Sequence, residues 1–171
     1  MNNGPKDLEV NIRSTDETDI PLIMRFIKEL ADFEKLSDTV VATEEDLKRS
    51  LFGERPYAEA VIAEIDGSPA GFMIFFHNFT AYVGKPGIYI EGIYVDPAYR
   101  GSGVGEALMK YCAGIAKERG CGTMNWCVLD WNPARKFYER LGAKPESDWV
   151  VYTLDEKGIS ELVESKNDRT T

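Results

Sequence analysis

The chain has a single histidine, His77, and that scarcity excludes a multi-histidine metal centre. A serine hydrolase triad would have to use this one residue, and no nucleophile-elbow motif accompanies it. His77 is expected simply to occupy a strand position. Cysteines are few and odd in number, Cys112, Cys121 and Cys127, with no Cys-x-x-Cys spacing. Neither a disulfide framework nor a zinc site is indicated, and buried thiols in reducing surroundings are expected. No metal is expected. No apolar run approaches the length that spans a bilayer, and Met1 to Asp7 lacks a basic segment followed by an apolar one. A soluble cytoplasmic protein is the expectation. Basic residues are also in deficit: 20 against 29 acidic ones leave a net charge of -9. Such a surface repels nucleic-acid phosphates and anionic membranes, so neither is expected as a partner, while a cationic substrate is attracted.

What is present fits one domain over residues 1–171, since 171 residues at 43% hydrophobic content can build a substantial core. The termini, 1–6 and 165–171, read as flexible tails. Leu8 to Ser14 alternates like an opening strand. Thr15 or Asp16 can cap a helix whose buried stripe is Ile20, Ile23, Ile27, Leu30 and Ala31, and Thr43 with Asp46 opens a second helix that ends near Gly53. Phe33 to Ala42, between them, reads as irregular. Two strands follow, Ala58 to Ile65 and Ala70 to Phe79, joined by the hairpin turn Asp66-Gly67. Ile88 to Val95 is the next strand. A helix with the apolar face Val104, Ala107, Leu108, Tyr111 and Ile115 comes after it, then a strand over Thr123 to Leu129. A short helix from Pro133 to Leu141 stops at Gly142, and Trp149 to Leu154 reads as a final strand. This order predicts an α/β (α+β) architecture.

The most informative stretch joins the Ile88–Val95 strand to the helix beyond it: Tyr99-Arg100-Gly101-Ser102-Gly103-Val104-Gly105-Glu106. Alternating glycines let the backbone approach a ligand, and unpaired N–H groups at a helix N-terminus favour an anion. Arg100 adds a fixed positive charge. A Walker loop needs Gly-Lys followed by Ser or Thr, which is missing here, and a dinucleotide fingerprint needs its third glycine where Glu106 stands. A tight strand-to-helix turn without a ligand is the remaining alternative.

The Arg-x-x-Gly-x-Gly spacing, between a long apolar strand and an amphipathic helix, resembles the acyl-CoA motif of the GNAT superfamily of N-acyltransferases. The element order resembles that fold over nearly the whole chain. Ile90 to Val95, Val128 to Asn132, Phe137 to Ala143, and Glu29-Leu30-Ala31 with Phe33-Glu34 are similar to the diamine branch, which includes spermidine/spermine and thialysine acetyltransferases. The resemblance implies a GNAT fold, a mixed and mostly antiparallel central sheet flanked by helices, and an acetyl-CoA-dependent N-acetyltransferase. Acetyl transfer would go to a primary amine of a small molecule, a diamine, polyamine or lysine-like amino acid, in a ternary complex without an acyl-enzyme. It implies that the backbone of Ile93, Tyr94 and Val95 pairs with the pantetheine arm. Arg100, Gly101, Ser102, Gly103, Val104, Gly105 and Glu106 would hold the pyrophosphate, and Asn132 would bond the cofactor near its thioester. Tyr138 would act as general acid and Glu91 as the acceptor of the amine's proton. Phe33, Glu34, Glu91, Asn125, Trp126 and Cys127 would contact the substrate. A homodimer is implied as well.

Each assignment has a plainer alternative: Asn132 as a helix cap, Tyr138 as a core aromatic, Glu91 as a solvent-facing strand carboxylate, and Glu34 as a solvated loop acid. Two departures stand out. The diamine branch typically carries a second acid after the strand glutamate, whereas this chain has Gly92, which removes an ammonium partner. Asn132 and Tyr138 are six residues apart, one fewer than the family spacing. A non-catalytic acyl-CoA-binding module and an acetyltransferase for protein amines are the competing functions.

Overall fold

The computed structural model describes residues 9–165. The expected flexible stretch 1–6, the expected strand residue Leu8 and all of the tail 165–171 except Ser165 lie outside the described residues. The chain divides between Asn132 and Pro133 into two compact units.

The first unit is a five-stranded sheet in the order β1-β2-β3-β4-β5, with β1 Val10–Ser14, β2 Glu59–Ile65, β3 Ser68–Thr80, β4 Lys85–Val95 and β5 Thr123–Trp126. The first three pairings are antiparallel and the last is parallel. The expected hairpin forms, with Asp66 and Gly67 both at positive φ, 50° and 75°, a combination whose twist matches that of the flanking strands. Helix α1, Ile20–Glu34, follows a single turn of 3₁₀ helix that Asp16 and Asp19 cap reciprocally. Arg13 fixes that turn to β1 through two 2.7 Å bonds to the Asp19 carboxylate. Helix α2, Glu44–Phe52, starts in the Thr43/Asp46 capping box that its sequence announces and ends at Gly53.

Cross-strand partners share a face, so the register separates two layers. Ala60, Ile62, Phe72, Ile74 and Tyr94 pack with Ile20, Ile23 and Phe26 of α1 and Leu51 of α2. Phe26 and Phe72 stack at 5.4 Å between ring centroids. The other face carries α3, Val104–Glu118, whose Val104 methyl comes within 3.2 Å of the space a Cβ on Gly71 would take. The tighter constraint on Gly71 comes from β4, whose Tyr94 carbonyl oxygen would lie 2.5 Å from that Cβ.

In the second unit, α4 spans Ala134–Arg140 and α5 spans Glu156–Glu164. Pro133 takes the N-cap position of α4. Gly142 at φ 93° ends it, with Gly142 N–H donating to the Glu139 carbonyl and Ala143 N–H to the Tyr138 carbonyl, a Schellman closure.

Four expectations need correction. The strand expected over Trp149 to Leu154 does not form: the segment is irregular, and Trp149, Val150, Val151 and Tyr152 are exposed. β propensity yields a strand only beside a partner strand, and among the described residues none pairs with this segment. Helix α5 was not anticipated, although Asp155 caps it by accepting from Gly158 N–H. The strand expected through Leu129 stops at Trp126. Phe33 and Glu34, expected in an irregular segment, are the last residues of α1, which closes on Lys35 at φ 61°. Among the described residues no helix is long and apolar enough to cross a membrane.

Candidate functional site

Two irregularities coincide in β4. Ile74 pairs with Gly92 and Phe75 with Ile90, so Glu91 is an extra residue without a partner in β3. A bulge of this kind bends its strand and increases its twist. It also switches faces: Ile90 shares the side of Phe75, while Gly92 and Tyr94 share the side of Ile74 beneath α1. At the same point the parallel ladder to β5 ends, at Ile90 and Trp126. From 91 to 95 the β5-side edge of β4 has no strand beside it among the described residues. An extended ligand arm can add there through main-chain hydrogen bonds, which is the position expected for Ile93, Tyr94 and Val95.

β4 leads directly into the glycine turn. The Asp96 carboxylate accepts from Ala98 N–H at 2.8 Å, and the Ser102 hydroxyl donates to the Tyr99 carbonyl at 2.5 Å, so Ser102 ties the turn together. Gly101 and Gly103 have φ of 83° and 90°, and nothing lies within 4 Å of where their Cβ atoms would be. Both glycines thus serve a left-handed backbone that faces open space. Gly103 is the N-cap of α3, with no side-chain cap, and the first bond of the helix runs from Ala107 N–H to its carbonyl at 2.9 Å. The amides of Val104, Gly105 and Glu106 are consequently left to an outside acceptor at the positive end of a fifteen-residue helix. The Glu106 carboxylate is engaged by Lys110 at 2.6 Å, which lowers its pKa. An open strand edge continuous with an uncapped helix end fits a ligand that has an extended amide arm and a pyrophosphate.

Arg100, expected at the pyrophosphate, makes contacts within the chain. Its Nε donates to the Val95 carbonyl at 3.2 Å, and its guanidinium lies 5.0 Å from the Phe33 ring centroid and 5.9 Å from that of Tyr94. The side chain locks the end of β4 to the end of α1. Phe33 in turn faces Trp131 at 6.0 Å, and the Lys35 ammonium sits 5.5 Å over the Trp131 ring. A cation therefore already rests on an aromatic wall at this place. Burial raises the pKa of Glu34 beside it.

Tyr94 is buried, 5.9 Å from Phe26, and its phenol is raised first by burial and then by the Glu29 carboxylate. Asn125 and Trp126 are half-buried in β5, and Cys127 is exposed just past its end. The Tyr89 hydroxyl donates to the Cys127 sulfur at 3.1 Å, and this contact, with burial, pushes the phenol up to about 12. Glu91 is exposed at the bulge, and Asn132 is buried at the end of its unit, its N–H bonded to the Leu129 carbonyl at 2.9 Å. In the second unit Tyr138 is buried on α4, its ring 5.2 Å from that of Phe137. The structure thus brings Phe33, Glu34, Tyr94 and Arg100 together at one end of β4. Sequence reasoning gave no role to Glu29, whose carboxylate is hydrogen-bonded with the Tyr94 phenol.

Comparison with known proteins gives a consistent result. The model of the acetyltransferase (GNAT) family matches residues 25–143. The chain is 36% identical over 165 residues to the thialysine N-epsilon-acetyltransferase of Bos taurus, covering 90% of this chain and 96% of that protein. It is 31% identical over 189 residues to an L-ornithine N5-acetyltransferase of Arabidopsis thaliana, covering 84% and 83% respectively. Among solved structures, an integron cassette protein from the mobile metagenome of V. cholerae superposes with a TM-score of 0.75 at 27% identity, over 91% of this chain and 98% of that one.

Proposed function

The chain belongs to the GNAT acetyltransferase family and is an N-acetyltransferase, and we propose that it moves the acetyl group of acetyl-CoA onto a primary amine of a small cationic molecule, a diamine or a lysine-like amino acid. The observation that carries this is the open edge of β4, which begins at the Glu91 bulge and runs straight into the uncapped N-terminus of α3. Ile93 to Val95 would hold the amide arm, and the amides from Gly101 to Glu106 the pyrophosphate, with Asn132 near the thioester. The family match crosses the division between Asn132 and Pro133, which supports one catalytic domain.

Acetyl-CoA supplies the acetyl group as a thioester. Glu91, exposed at the bulge, takes a proton from the incoming ammonium, directly or through water, and leaves a neutral amine able to attack. A main-chain N–H near Tyr94 stabilises the developing oxyanion. The amine would attack the thioester carbon directly, so no acyl-enzyme forms, and Tyr138 would give its phenolic proton to the departing thiolate. Phe33, Glu34, Trp126 and neighbouring residues bound the acceptor. The three free cysteines support a reducing, cytoplasmic setting.

The full-length relatives act, by their names, on thialysine and on L-ornithine, both small basic amino acids. This supports a small acceptor over a protein amine. Acetyl-CoA consumption measured against a panel of diamines, basic amino acids and a lysine peptide tests the proposal. Turnover is expected with the small amines and weakly or not at all with the peptide. CoA binding by calorimetry without turnover on any amine would make the protein a binding module instead.

A further inference from the structure

What stands at each end of the open edge of β4 fixes the direction of a bound arm. The uncapped amides of α3 lie beyond Val95, so an arm that starts from them and follows β4 carries its thioester toward Glu91. β5 meets β4 at that end, in the pair Ile90 and Trp126, and the next pair is Tyr89 with Asn125. Tyr89 is half-buried, with its ring 5.2 Å from that of Phe76, its partner on β3. Its hydroxyl donates to the Cys127 sulfur at 3.1 Å. That bond, burial and the nearby Cys127 and Glu91 groups keep the phenol protonated. A phenol has one hydrogen and two lone pairs. With its hydrogen on sulfur, the Tyr89 oxygen offers a ligand only its lone pairs, beside a carboxylate and just past the end of the arm.

We propose that Tyr89 selects primary amines, by accepting from the N–H that the acceptor keeps while Glu91 receives the hydrogen that it loses. The inference rests on the acetyltransferase function proposed above and deepens it. A neutral primary amine has one lone pair and two N–H groups. The lone pair forms the bond to the thioester carbon, and the C–S bond breaks with its electrons on sulfur, which Tyr138 protonates. One amine hydrogen passes to Glu91, and the other remains in the product, a secondary amide. Two acceptors for two hydrogens turn the lone pair toward the carbon that it attacks. An N-methylated amine has a single N–H. Its methyl group must take the place beside Tyr89, which leaves a half-buried oxygen facing carbon.

The test is a ratio. Steady-state kcat/KM is measured for putrescine against N,N′-dimethylputrescine, and for L-lysine against Nε-methyl-L-lysine, with transfer read at the side-chain nitrogen. The wild-type protein is expected to favour the primary amine in whichever pair it turns over. Tyr89→Phe keeps the ring against Phe76 and removes the oxygen. The preference is expected to fall about five- to ten-fold, the loss of one hydrogen bond, while CoA affinity measured by calorimetry stays at the wild-type value. An unchanged preference in Tyr89→Phe overturns the assignment, and so does a wild-type protein that takes both members of a pair equally well. An equal loss on both members also overturns it, since that is the mark of a structural role. If the wild-type protein acetylates none of these amines, the proposed function itself fails, a result distinct from any outcome at Tyr89.

Discussion

At the scale of single residues, the proposed chemistry divides between two groups of opposite environment. Glu91 is exposed because the bulge pushes it out of the ladder with β3. Tyr138 is buried, and its main chain is pinned by the Schellman closure that ends α4. A phenol keeps its proton at neutral pH and carries no charge into an apolar place, which suits an acid. Tyr138→Phe removes that proton and little volume. Turnover is expected to fall by about 10²-fold, within the usual range for loss of a general acid, while CoA affinity measured by calorimetry stays near the wild-type value. Turnover at the wild-type rate would remove Tyr138 from the mechanism. The charge of Arg100 points to a phosphate partner, and the structure adds that its guanidinium lies over the rings of Phe33 and Tyr94. A sequence shows the charge and not the direction in which a long side chain turns.

At the scale of elements, the junction of β4 with α3 does most of the positioning. The pattern of a long apolar strand, Asp96-Pro97 and alternating glycines was legible in the sequence, because each residue type there satisfies a local backbone demand. Gly103→Ala tests that demand. At φ 90° an alanine is strained although nothing crowds its methyl, so stability in urea is expected to fall by about 1–2 kcal/mol. KM for acetyl-CoA is expected to rise while KM for the amine changes little, because the distortion falls on the amides that would face the pyrophosphate. Matching rises in both constants would separate the turn from cofactor binding. The bulge at Glu91 was not legible. Residues 88, 90, 92 and 94 share one parity and would lie on one face of a regular strand, yet Ile90 and Tyr94 end up in opposite layers. Only the pairing with β3 selects that arrangement, in which both side chains are buried.

At the scale of the whole molecule, the exposed run Trp149, Val150, Val151 and Tyr152 is the most conspicuous surface of the second unit. Four large apolar side chains in an irregular stretch are poorly suited to water. This supports the homodimer proposed from the diamine-branch resemblance, and light scattering coupled to size exclusion is expected to give about twice the chain mass of 19.2 kDa. A Trp149→Ser, Val151→Ser double variant is expected to shift that mass toward the monomer. A wild-type protein that runs as a monomer at every concentration refutes the dimer. The sequence by itself determined the family, the order of most elements, the cap at Thr43, the hairpin at Asp66-Gly67 and the glycine turn, and it left Thr15 and Asp16 as alternatives for the first cap. These are local, since each depends on backbone groups a few residues away. Only the tertiary structure decided that β5 leaves β4 at Trp126, that Glu91 stands out of register, and that the Trp149 segment gains no strand partner among the described residues. Each of these turns on which distant residue comes to lie beside it, a matter of pairing and packing that no short stretch of chain contains.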